Sequence, residues 1–279
     1  NLKRLGSYLA FFFVYLIIFF KCKRLNFIMI EIYKIKKLGF WIFILPFLSI
    51  NICLILSQVF TFREFNVPSP GNYFYDWKIF DIGDAIGEKG GKWIIPYFDG
   101  VSSISRVARV FPNALIFKPA MLITGILLIT YWRLNKKLIE NLSLIQKDAK
   151  KMYYFGISSA IFLIIHSIFL GIKFDYAIYK LSRRVVLLLF IFFEITAQFY
   201  LIKIFFINKN VLQKLINTKI LIIKKVLVYI LIFTAIIILP FLPFNNLKIL
   251  KHILEWNYFL GVILFYLLTF FLWKKNTKL

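Results

Sequence analysis

The 22 residues Val185–Phe206, VVLLLFIFFEITAQFYLIKIFF, decide the fold. A helix of this length rises about 33 Å, enough to cross the roughly 30 Å hydrocarbon core of a bilayer. The run lacks the two-residue alternation of a barrel strand, and a backbone in lipid must satisfy its own hydrogen bonds, so it reads as a transmembrane helix. Near its middle stands Glu194, with Gln198 four residues on and on the same helical face, while Thr196 turns away.

Five more runs have the same character: Phe40–Phe60, Leu115–Trp132, Met152–Ile172, Val226–Phe244 and Trp256–Trp273. Across the 279 residues, 61% are hydrophobic and only 17% charged, far from the balance of a soluble domain. The formal net charge of +24 would suit a nucleic-acid partner only if it formed a basic patch on a soluble face. Here it falls in short clusters between apolar runs, which excludes that class. The expected fold is all-α, a polytopic transmembrane bundle of six spans over residues 40–273. Residues 1–39 form an N-terminal segment and 274–279 a short tail. Within the former, Leu5–Phe20 is apolar for 16 residues. It reads either as a short seventh span or as sequence ahead of a start at Met29, and both readings stand.

Basic connectors set the expected orientation. The segment between the second and third spans carries six basic residues against two acids, and that between the fourth and fifth carries Lys203, Lys209, Lys214, Lys219, Lys224 and Lys225 with no acid. Basic connectors stay cytoplasmic. Counted from Met29, both termini are therefore expected inside. Cys22 lies in a basic cluster and Cys53 in an apolar run, so no disulfide between them and no metal site is expected.

The connector Thr61–Ala114 differs from the others. Its 54 residues hold six basic and six acidic side chains, with aromatics such as Tyr73, Trp77 and Trp93 interleaved with prolines and glycines. A disordered linker is poor in aromatics, so this segment is expected to pack as a cap over the helix ends. Near its end, Arg106 and Arg109 share a helical face. With Ser105 they could hold a lipid phosphate in their guanidinium forks. Alternatively Asp99 pairs with one of them and the cluster only fixes the loop. Both readings stand.

A second candidate site lies inside the bilayer. Ionisable residues within spans are costly and face the bundle interior. Glu194 and Gln198, with His166 of the third span, form the expected intramembrane polar site. The alternative is plain interhelical hydrogen bonding. His252, beside Lys251 in a short connector, reads as solvated. No His-Glu-x-x-His, nucleophile elbow or phosphate-binding glycine loop is present. The Asp99-Gly100 pair suggests membrane phosphotransferases, but those need further aspartates in the next helix, and Leu115–Trp132 has no acid.

Residues Ile95–Phe117 carry a family resemblance. Pro96, Tyr97 and Asp99 close a long first loop, and Phe111-Pro112 is followed by Lys118 at the entry to the second span. This resembles the DRAM-like family of six-pass proteins, which groups damage-regulated autophagy modulators with relatives in GPI-anchor lipid remodelling and membrane lipid organisation. That family carries a Pro-Tyr-Ile-Ser-Asp type sequence here; Phe98 replaces the Ile-Ser pair, and the Pro-Glu that often follows is missing. The resemblance implies a lipid-related role without catalysis or cofactor. The expected partners are membrane lipids, with a second copy or another membrane protein left open. Two other readings compete: a small transporter or channel built on Glu194, and a lipid-modifying enzyme using Asp99 with His166.

Overall fold

The computed structural model describes residues 2–63, 94–109, 112–144, 146–170, 172, 177–238 and 247–274, with the side chains before Phe27, those of 59–63 and those of residues 146, 177, 180 and 248 outside that set. The loop aromatics Tyr73, Trp77 and Trp93 fall outside the described residues, as do the last five residues of the tail.

Nine helices follow one another among the described residues: α1 (Leu2–Arg63), α2 (Pro96–Asp99), α3 (Ile104–Arg109), α4 (Asn113–Asn141), α5 (Gln146–Phe169), α6 (Ala177–Ile207), α7 (Lys209–Leu212), α8 (Thr218–Ile238) and α9 (Lys248–Leu272). Six are long and apolar enough to cross a membrane, with spanning segments Phe27–Gln58, Asn113–Asn141, Lys147–Phe169, Leu181–Ile207, Thr218–Ile237 and Ile249–Leu272. The protein is thus an all-α polytopic bundle, an integral multi-pass membrane protein. Residues 5–20 continue the backbone of α1.

Chain order and packing coincide. Each spanning helix packs antiparallel on the next, α1 on α4, α4 on α5, α5 on α6, α6 on α8 and α8 on α9, and α9 returns against α1. The resulting ring is filled by large buried side chains, among them Tyr131, Trp132, Trp256, Phe265 and Tyr266. Its outside exposes Ile30, Leu48, Ile126, Phe192, Phe233 and Ile236, surface that acyl chains cover. Close approach needs small residues where helices touch. A Cβ at Gly156 of α5 would stand 2.3 Å from Cγ of Trp132 on α4.

The two ends of the bundle are built differently. At one, here called the capped end, α2 and α3 seat residues 94–109 on α9, α1 and α4. The Asn113 amide fastens this segment, donating to the carbonyls of Cys53 (3.0 Å) and Val107 (2.8 Å) and to Ser57 Oγ (2.6 Å). Gln58 donates to the Ile94 carbonyl at 2.6 Å, and the Trp256 indole to that of Ser102 at 2.8 Å. Gly100 ends α2 with φ +60°, and a Cβ there would meet the Ile249 carbonyl oxygen at 2.3 Å. Glycine suits both demands.

At the opposite, basic end, the chain between α7 and α8 pairs with the end of α9. Asn217 N–H donates to the Leu272 carbonyl at 2.8 Å and Lys274 N–H to that of Leu215 at 3.0 Å. Acids here are engaged: Lys137 lies 3.2 Å and the Asn141 amide 2.9 Å from Glu31, and Lys203 lies 2.9 Å from Asp148.

Two sequence expectations are corrected. The fifth span begins at Thr218 rather than Val226, so Lys224 belongs to a helix and not to a connector. His252 is not a solvated loop residue: it lies in α9 with Nδ1 2.9 Å from the Gly100 carbonyl oxygen.

Candidate functional site

The middle of the bundle holds a polar knot in an otherwise apolar core. Glu194, fully buried, sits where α6 faces α5 and α9. Its Oε2 accepts from Ser159 Oγ at 2.6 Å, and its Oε1 accepts from Gln198 Nε2 at 2.9 Å and from the Tyr266 hydroxyl. The Trp132 indole N–H approaches the same carboxylate without meeting hydrogen-bond geometry. Gln198 also reaches across to the Val262 carbonyl of α9 at 3.3 Å. The local sequence explains the assembly. Gly156 lets α5 close on Trp132, and Ser159, one turn further, then meets Glu194.

One turn along α9 from Tyr266 lies a second buried group. Lys224 of α8 is fully buried, its ammonium 2.6 Å from Thr269 Oγ1 and 3.7 Å from the centroid of the Phe265 ring. Thr269 Oγ1 also lies 3.2 Å from the Tyr131 hydroxyl, and the Tyr131 and Tyr266 rings meet edge to face at 5.0 Å. An acid on α6 and a base on α8 are thus both anchored on α9, about one turn apart. Sequence reasoning assigned Lys224 to a connector. The signal that would have found it is periodic: Leu221, Lys224, Val228 and Leu231 occupy one buried face of α8.

Of the expected intramembrane trio, Glu194 and Gln198 come together and His166 stands apart. His166 lies two turns, roughly 10 Å, beyond Ser159 along α5 toward the capped end. The charge that acts on it there is that of Arg183.

At the capped end the expected anion cluster is spent on the loop itself. Both Asp99 carboxylate oxygens accept backbone N–H groups, from Ile95 at 2.7 Å and Val101 at 3.1 Å. The Ser105 hydroxyl lies 3.3 Å from that of Ser103, whose carbonyl opens α3. Arg106 faces the Glu255 carboxylate of α9, and Arg109 stands in the last turn of α3. Tyr97 donates to Asn51 Oδ1 at 3.4 Å, and burial pushes its phenol above the usual value. Asp99 and His166 are not brought together.

A cleft of about 100 Å³ opens sideways between α6 and α8 near the basic end. Phe199, Phe206, Ile207 and Tyr229 line it with Lys203 and Lys225. The Lys225 ammonium stands 4.0 Å from the Phe206 ring centroid and 5.8 Å from that of Tyr229. Among the described residues no three His, Cys, Asp or Glu side chains gather as metal ligands would.

Compared with known protein families, curated proteins and solved structures, the chain matches none.

Proposed function

We propose that this integral membrane protein is DRAM-like and has a lipid-related binding or organising role without catalysis of its own. The observation that carries this reading is the cleft between α6 and α8, where an apolar, aromatic wall meets Lys225 beside a Lys203 already paired with Asp148. Phe206, Ile207 and Tyr229 are exposed on the outside of the ring, so an acyl chain can lie along them without entering the bundle. Lys225 offers three N–H donors to a phosphate oxygen beside that chain. The basic end is then the cytoplasmic one, where anionic lipids attract basic side chains. In this reading the capped end is a structural lid, since Asp99 and Ser105 already satisfy its own turns.

The test is lipid retention. Protein reconstituted in vesicles of phosphatidylcholine with phosphatidylglycerol, then solubilised and analysed by native mass spectrometry, is expected to keep phosphatidylglycerol preferentially. Lys225→Gln should lower that enrichment several-fold. Equal retention of the two lipids by the wild type would overturn the reading.

A second reading, a small transporter, is favoured by one observation: a buried carboxyl and a buried amine at mid-span, anchored on the same helix. It separates from the first by its dependence on Glu194.

A further inference from the structure

Glu194 and Lys224 are a fully buried acid and a fully buried base, and among the described residues neither makes an ion pair. Hydroxyls take that place. The Tyr266 hydroxyl donates to Glu194 Oε1, and Thr269 Oγ1 stands 2.6 Å from Lys224 Nζ and 3.2 Å from the Tyr131 hydroxyl. The Tyr131 and Tyr266 rings fill the interval between these contacts, edge to face with centroids 5.0 Å apart. A hydroxyl both donates and accepts, so each of the three can receive one proton while releasing another.

What lies one turn to either side of this knot is unequal. Toward the basic end the buried positions are polar: Gln198 of α6, Asn135 of α4, Thr269 of α9 and Lys224 of α8. Asn135 Nδ2 donates to the Tyr131 carbonyl at 2.8 Å, and its Oδ1, like Gln198 Oε1, is buried without a hydrogen-bond partner. Toward the capped end the corresponding positions are apolar. Leu163 follows Ser159 on α5, Leu128 stands before Tyr131 on α4 and Val262 before Tyr266 on α9, all buried, and Phe190 before Glu194 on α6 packs against the core. The side chains of that layer offer a proton no acceptor. Lys224, by contrast, stands six residues, about 9 Å, inside the start of α8. A side chain on a four-carbon stem can reach the headgroup level from there.

We propose that Glu194 exchanges its proton with the basic end alone, along Tyr266, Tyr131 and Thr269 to Lys224. The transfer balances without a co-reactant. The O–H bond of the acid breaks, each hydroxyl gains one proton and gives one up, and the last N–H bond forms on the neutral Lys224 amine, leaving a carboxylate and an ammonium. The return transfer restores both neutral groups. No hydrogen bond joins the two phenols, so their interval is the slow step. The other groups facing the carboxyl are Ser159 of α5, Gln198 of α6 and Trp132 of α4, none of which carries charge. Lys224 is faced by Phe265 and Thr269 of α9. The route does not depend on the cleft between α6 and α8. It would supply the transporter reading with a coupling proton, and it holds without any solute movement.

The test reads the proton itself. Infrared difference spectroscopy on the full chain in nanodiscs identifies the Glu194 carboxylic acid as the C=O band missing in Glu194→Gln. The rate at which that band shifts after transfer to deuterated buffer is its proton-exchange rate. Tyr131→Phe, Thr269→Val and Lys224→Met should each slow the shift about tenfold or more, as the loss of one hydrogen bond from the barrier does. Tyr131→Phe keeps the ring, so it decides the matter if Lys224→Met fails to fold. Thr124→Val removes a buried hydroxyl two turns from Tyr131 on the capped side and should change nothing. Unchanged rates in Tyr131→Phe and Thr269→Val overturn the proposal, and so does an equal slowing in Thr124→Val. Absence of a Glu194 band at every pH at which the protein stays folded overturns it as well. Failure to find solute flux in proteoliposomes would remove the transporter reading and leave this exchange standing.

Discussion

Glu194 presents a choice between two protonation patterns that the same heavy atoms accommodate. As a carboxylate it accepts from Ser159, Gln198 and Tyr266. As a carboxylic acid it can donate to Ser159 Oγ, which then passes its own proton to the Gly156 carbonyl 2.9 Å away. Glutamine imitates the second pattern, with its amide donating to Ser159 and its oxygen accepting from Tyr266. Glu194→Gln is therefore expected to fold with nearly unchanged thermal stability in detergent. Glu194→Leu removes the Tyr266 acceptor while Gln198 keeps Val262 and Ser159 keeps Gly156, so it should cost about 1–3 kcal/mol, the penalty for a stranded buried donor. Chemical unfolding of the two variants checks this. The Gln variant also separates the two functional readings: proton or solute flux lost in its proteoliposomes supports a transporter, whereas lipid retention should be indifferent to it.

At the scale of helices, contact quality is set by which side chain meets a glycine. Gly156 faces the fixed ring of Trp132, with a would-be Cβ 2.3, 2.4 and 2.6 Å from three of its atoms, whereas a Cβ at Gly261 would meet the flexible tip of Leu231 at 2.9 Å. Gly156→Ala should therefore destabilise by about 1–3 kcal/mol, as overpacking does, and Gly261→Ala should be close to neutral. Comparing their unfolding midpoints tests whether the α4–α5 crossing positions Ser159 for Glu194. The six spans were legible because a bilayer-length apolar run leaves a backbone no alternative to helix. Their ends were less so: Lys224 and Lys225 look like connector charge, and only the buried face they interrupt shows that α8 starts two turns earlier. Glu194 and Gln198 were found by four-residue spacing, which is local. The Tyr266, Ser159 and Thr269 contacts were not, because contacts between helices depend on rotation about each axis. His252 failed for the same reason, since its partner, the Gly100 carbonyl, lies 152 residues away in sequence.

For the molecule as a whole, the distribution of charge between the two ends determines how it sits. Moving Lys224 into the core removes one charge from the connector before α8 but leaves Lys209 and Lys214 on it and Lys219 in the first turn of α8, with Lys136, Lys137 and Lys203 at the same end. The acids at that end are already paired with lysines or an amide, so they do not reverse its sign. The capped end carries Arg106, Arg109, Lys118, Arg183 and Arg184 against Glu255, and its Asp99 is held within its own turn. In the reading proposed above the basic end is cytoplasmic, which puts the Asn208–Asn217 connector inside and α2 outside. Single cysteines in a background without Cys22 and Cys53 can decide this. Phe98→Cys, at a side chain 80% exposed on the capped end, should react with a membrane-impermeant thiol reagent in intact cells. Asn210→Cys should react only after permeabilisation. The opposite pattern would put the cleft between α6 and α8 in the outer leaflet, and Lys225 would then face a surface poor in the anionic lipid it is proposed to hold.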